Sequence, residues 1–125
     1  MSESDAIALV ARYFAAFNMR DWQGAADCVS DDVAHDLPGG AREIGRDKLR
    51  LHLAQRARLA DETAADIAVM IAPGGGRAAA EFTLRGSVKA DGEIVRQTLR
   101  AGAFFEIDDG RITRLTEYLA PATPG

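Results

Sequence analysis

The chain has 125 residues and 13.4 kDa, of which 47% are hydrophobic and 27% charged; this is one domain's worth of ordinary globular composition and excludes disorder. A formal charge of −4 without a basic block argues against a nucleic-acid binder, and one cysteine with two histidines excludes an internal disulfide and leaves little for a zinc site. No apolar run approaches the roughly 18–20 residues of a membrane span, and Met1–Glu3 opens with no cationic signal region, so a soluble cytoplasmic protein needing no metal or cofactor is expected.

No repeat, linker or composition break divides the sequence, so residues 1–125 are expected to form a single domain. Ser4 to Asn18 sets Ile7, Val10, Phe14 and Phe17 at helical spacing, with Ser2 or Ser4 available as the cap. Asn18 closes this helix, and Asp21 caps a short second one carrying Trp22, Ala26 and Val29. Val33 to Leu37 alternates like a strand until Pro38-Gly39-Gly40 ends it. A third helix follows from about Arg46, with Ile44, Leu49, Leu53 and Ala57 toward the core. Its basic residues spread around it and read as a solvated surface.

From Thr63 the period changes to that of long strands, punctuated by Pro73-Gly74-Gly75-Gly76, Asp91-Gly92 and Asp109-Gly110. Four antiparallel strands in a meander are the simplest consequence, which makes the fold α+β with helices packed on one face of a curved sheet. Ala78, Ala80, Phe82 and Leu84, then Leu99, Ala101, Ala103, Phe105 and Ile107, define the apolar inner face. Glu81, Thr83, Arg85, Arg100 and Glu106 fall on the outer one. The glycine run lacks the following Lys-Ser/Thr and helix of a phosphate loop, and Cys28 reads as a small buried residue. The prolines of Pro121–Gly125 are expected to bar that tail from continuing a strand.

The run Arg12-Tyr13-Phe14-Ala15-Ala16-Phe17-Asn18, then Asp21-Trp22 and Ser30-Asp31-Asp32-Val33, resembles the ketosteroid isomerases and their SnoaL-like relatives. Gly45-Arg46, the Ala78–Gly86 strand and Ala103-Phe104-Phe105 through Asp109-Gly110-Arg111-Ile112 continue the likeness over essentially the whole chain. The resemblance implies the nuclear-transport-factor-2-like cone: helices on a strongly curved, mainly antiparallel sheet around an internal pocket. It is specific for fold and poor for function, because this fold hosts isomerases, cyclases, hydrolases and binding domains. Of the three polar residues that ketosteroid isomerases use, the resemblance matches the tyrosine to Tyr13. The proton-shuttling aspartate falls opposite Leu37, one residue after Asp36, and the oxyanion acid opposite Ala103.

Four residues are candidates for chemistry. Glu117 shares a face of the last strand with Leu115 and Leu119, and a lone carboxylate placed on an apolar face is a proton-transfer candidate. A solvated carboxylate at the cone's rim is the bland alternative. His35 shares its face with Val33 and Leu37 and is either a satisfied core histidine or an acid–base group. Asp36 alternates away, unless a bulge turns it inward. Tyr13 lies one helical turn from Phe17 and needs a partner for a buried hydroxyl.

Phe17, Trp22, Leu37, His52, Phe82, Leu84, Ala103, Phe105 and Leu115 are the expected ligand-binding walls. The function implied is binding of a small hydrophobic molecule, with proton transfer next to a carbonyl as in cofactor-independent isomerisation or cyclisation. A non-catalytic carrier or sensor, and a dimeric interaction module, are the alternatives. The resemblance and the mixed charges of the outer sheet face, Glu81 and Glu106 against Arg85, Arg100 and Arg114, imply a homodimer through that face.

Overall fold

The computed structural model describes residues 2–120 and 123–124. Helix α1 (Glu3–Asn18) opens on a reciprocal cap in which the Ser2 hydroxyl accepts from the Asp5 amide at 3.0 Å and the Asp5 carboxylate accepts from the Ser2 amide at 3.1 Å. Its buried stripe is centred on Ala6, Val10 and Tyr13, which leaves Ile7 at the border and 48% exposed, against the sequence expectation. Helix α2 (Trp22–Ala26) is capped by Asp21, whose carboxylate accepts from the Gly24 amide at 2.9 Å. It is shorter than expected, because Val29 already belongs to strand β1 (Val29–Asp36).

Strand β2 (Arg42–Ile44) was not foreseen; it forms a hairpin with β1 and exposes Ile44, which was expected in the core. Three residues alternating as charged, charged, apolar are too short for any period to stand out. Helix α3 (Arg46–Leu59) buries Leu49 and Leu53. Strands β3 (Ala60–Ile71), β4 (Arg77–Ala90), β5 (Glu93–Asp108) and β6 (Arg111–Leu119) form the expected antiparallel meander. Asp91-Gly92 and Asp109-Gly110 make its tight turns with positive φ at all four residues.

Among the described residues, three helices therefore pack on a mixed sheet of seven strands, six of them in the order β2-β1-β6-β5-β4-β3, that does not close. The parallel member is the β1–β6 pair, in which His35 lies opposite Leu115. A two-residue strand, β7 (Thr123–Pro124), pairs with Gln97 and Thr98 of β5. Strand β6 thus stops at Leu119, before the prolines, and the tail rejoins the sheet only through this separate two-residue pairing, short enough to tolerate a missing N–H. The rest of the tail lies outside the described residues.

The core is one cluster between helices and inner sheet face, built on Leu9, Phe14, Leu49, Phe82, Phe105, Ile112 and Leu115. On the outer face the charges pair across strands, Arg114 with Glu106 at 3.2 Å and Arg100 with Glu81 at 3.6 Å. Sheet curvature brings β3 onto β4 so closely that a Cβ at Gly86 would lie 1.7 Å from the Asp61 carbonyl oxygen. Gly86→Ala must therefore push two paired strands apart. We expect it to destabilise the fold by about 1–3 kcal/mol, measured by urea unfolding.

Candidate functional site

The concave side of the sheet and helices α1 and α3 enclose a cavity of about 230 Å³. Phe14, Phe17, Leu37, Pro38, Leu53, Phe82, Leu84 and Leu119 form its apolar walls, and Tyr13, His52, Arg56 and Glu117 are its polar points. The sheet's alternation places Glu117 here, because Leu115, Glu117 and Leu119 face inward while Arg114, Thr116 and Tyr118 face outward.

Behind Glu117 stands His35. The parallel β1–β6 register brings the His35 Nε2 to 2.5 Å from the Glu117 Oε1. The two differ in access: the His35 side chain is 1% exposed, that of Glu117 27%. Glu117 consequently borders the cavity, and His35 lies behind it within the protein. The edge of the His52 ring meets His35 with 5.2 Å between centroids. Burial first and the His35 ring second hold the His52 imidazole below its ordinary range, so it stays neutral at pH 7.

Tyr13 is 4% exposed and meets Phe14 and Phe105 edge-on. Burial, then the charge of Glu117, push its hydroxyl well above the ordinary phenol range, so Tyr13 remains a hydrogen-bond donor at any working pH. Arg56 reaches the cavity from α3 while its Nε and an Nη hold both oxygens of Glu62 at 2.8 and 3.0 Å. Glu62 is 5% exposed. The signal for it was present in the sequence, because Glu62 falls between Ala60 and Ala64 on the buried face of β3.

Several residues expected at the site are elsewhere. The Asp36 carboxylate points away from the cavity, accepting from Arg42 Nε at 2.5 Å, Arg114 Nε at 2.9 Å and the Thr116 hydroxyl at 3.0 Å. The irregularity in the β1–β6 pairing falls between Val29 and Ala34, before Asp36, and leaves its outward alternation intact. Ala103, Phe105 and Leu115 are at most 2% exposed and fill the core rather than line the cavity. Trp22 packs on Phe17 beside a separate small cleft. Cys28 is buried, with its thiol toward the Gly24 carbonyl at 3.5 Å and pushed above its ordinary range chiefly by burial.

The Asp36 cluster sets an acid limit on stability. Hydrogen bonds from Arg42 foremost, then Arg114 and Thr116, hold its carboxyl well below the usual carboxylate range. A pKa depressed by folding contributes stability that is complete above the unfolded value and lost as pH falls toward the folded one. Asp36→Asn should therefore lower the melting temperature at pH 7, and its difference from the wild type should shrink steadily below pH 4. Melting curves of both proteins between pH 7 and pH 2 check this.

Comparison with known proteins agrees with this architecture. A family model described as a SnoaL-like domain matches residues 10–115. No curated protein matches the chain significantly. Among solved structures, a proposed polyketide cyclase from Pseudomonas putida KT2440 is 38% identical with a TM-score of 0.86, over 94% of this chain and 91% of that one. A proposed polyketide cyclase from Xanthomonas campestris pv. campestris is 36% identical with a TM-score of 0.86, over 93% and 90%. A proposed ketosteroid isomerase from Kribbella flavida, 23% identical over 98% of this chain and 82% of that one, shares the fold with a TM-score of 0.70. Sequence match, strand order and the inward face of the cone converge: the chain belongs to the SnoaL-like domain family.

Proposed function

We propose that the cavity binds a small hydrophobic molecule bearing a carbonyl group and that Glu117 transfers a proton at the carbon beside it. The observation that carries this reading is a carboxylate facing a mostly apolar cavity, backed by a buried imidazole and near a phenol that stays protonated. Glu117 takes the α-proton, and the electron pair left behind becomes an enolate whose oxygen accepts from Tyr13. The enolate carbon then either recovers the proton at a second position, an isomerisation, or attacks another carbonyl of the same molecule. In that ring closure Glu117 returns its proton to the alkoxide formed. The designation of the Pseudomonas putida and Xanthomonas campestris relatives as proposed polyketide cyclases fits the second course.

A volume of about 230 Å³ lies below the roughly 300–1,000 Å³ of sites for drug-sized ligands, so the ligand is small, on the scale of one or two fused rings. The test is exchange of the α-protons of 2-tetralone in D2O, followed by proton NMR. Exchange faster than buffer alone supports the reading. Binding without exchange, seen as shifts of cavity-residue amides, favours the carrier.

We also propose that two copies associate through the outer sheet face. Phe104 and Tyr118 stack edge-on there with 5.9 Å between centroids, yet are 56% and 59% exposed. Beside them runs a groove of about 270 Å³ flanked by Arg77, Glu106 and Arg114. Aromatic side chains among paired charges suit a two-fold contact, where each patch meets its own copy. Sedimentation at micromolar concentration should give twice the chain mass; a monomer would remove the dimer.

A further inference from the structure

The contact between His35 and Glu117 uses one of the two imidazole nitrogens. The other, Nδ1, is buried and has no hydrogen-bond partner among the described residues. Burying a polar atom without a partner is unfavourable, which makes it the least explained feature of the site. A second orphan lies in the same region: the Oε1 of Glu43 is also buried and unpartnered. The hairpin register makes these neighbours, because His35 and Glu43 are directly paired residues of β1 and β2, and paired residues project to the same face. Arg42 and Ile44 on either side of Glu43 are exposed, as alternation requires.

From α3, the His52 Nδ1 comes within 3.9 Å of the same Glu43 oxygen, too far for a hydrogen bond. The remainder of Glu43 reaches solvent, with 31% of its side chain exposed. The groups that face His35 are therefore Glu117 from β6, Glu43 from β2 and His52 from α3, the last neutral at pH 7.

We infer that Glu43 is a positioning residue for this site: it accepts a hydrogen bond from His35 Nδ1 through one bridging water, and completes a Glu117–His35–Glu43 relay from cavity to solvent. This one bridge satisfies both orphaned atoms. It also sets the tautomer, because a proton held on Nδ1 leaves the Nε2 lone pair to accept the proton that Glu117 carries once it has taken one from a ligand. As that proton moves to Nε2, the Nδ1 proton moves to the Glu43 carboxylate, where it exchanges with water. The reverse shift returns a proton to Glu117 for delivery to the enolate carbon or the alkoxide. The purpose of the relay rests on the reading above, but its existence does not.

The test measures the ring nitrogens of His35 by long-range nitrogen–proton NMR at neutral pH without any ligand. The chain has two histidines, so His52→Asn assigns the signals. In the wild type, Nδ1 should carry a proton, with a proton resonance protected from solvent exchange. Glu43→Gln keeps an accepting oxygen and should preserve that signal, whereas Glu43→Leu should abolish it and move the proton to Nε2 alone. A wild-type His35 protonated only on Nε2, or a pattern unchanged in Glu43→Leu with its melting temperature retained, would overturn the relay. If the Nδ1 signal behaves as expected while 2-tetralone shows no exchange, the relay stands and the proton-transfer reading fails.

Discussion

Glu117→Gln should lower α-proton exchange by a factor on the order of 10²–10⁴, the range that a positioned general base supplies. Glutamine keeps the shape of the side chain and can still meet His35, whose Nε2 lies 2.5 Å from the Glu117 oxygen, but it cannot take a proton. The fold should hardly notice, because the core under the cavity is made by Phe105, Leu115 and Ile112, which the substitution leaves alone. A large loss of exchange with a nearly unchanged melting temperature is the expected pair of results. Should both fall together, Glu117 and His35 would be a structural tie between β6 and β1. Full exchange in Glu117→Gln would remove the base from the scheme altogether.

Turnover of a Δ5-3-ketosteroid should be slower than that of a ketosteroid isomerase by a factor on the order of 10⁴ or more. This combines about 10²–10³ for one missing oxyanion donor with about 10²–10⁴ for a missing acid–base group. Leu37 stands where the shuttle aspartate is expected by resemblance, and it lines the cavity as an apolar wall. Ala103 stands for the oxyanion acid, is 2% exposed and has no proton to donate. Asp36, the nearest carboxylate along the chain, cannot substitute, since Arg42, Arg114 and Thr116 hold it on the opposite side of the strand. The volume of the cavity adds a steric argument of its own. Steady-state absorbance of the conjugated product measures this directly; rates typical of the isomerases would mean that Glu117 and Tyr13 suffice as the chemical pair.

Much of the architecture was legible in the sequence, for reasons that are local. A capped helix with an apolar stripe, three turns marked by glycine and long alternating runs each depend on neighbours within a few residues. They determined the helices-then-meander order, the apolar stripe of α1 and the inner faces of β1, β4, β5 and β6, and therefore that Tyr13, His35 and Glu117 lie on apolar faces. Alternation pointed Asp36 outward but left open a bulge that would turn it into the site, and the structure, with its irregularity before Ala34, keeps it outside.

Depth along a face was a different matter. Ala103, Phe105 and Leu115 share the inner face with Glu117, yet they fill the core while Glu117 reaches the cavity, because the helices cover one part of the sheet and leave another open. Periodicity carries a direction for each side chain and no measure of what lies above it. The union of His35 with Glu117 likewise joins residues 82 positions apart through a parallel strand pair, and the hairpin that sets Glu43 beside His35 contains a strand of three residues. Which faces are apolar is decided by covalent neighbours and so belongs to the sequence. Which polar atoms meet is decided by strand register and helix placement, and only the assembled tertiary structure settles those.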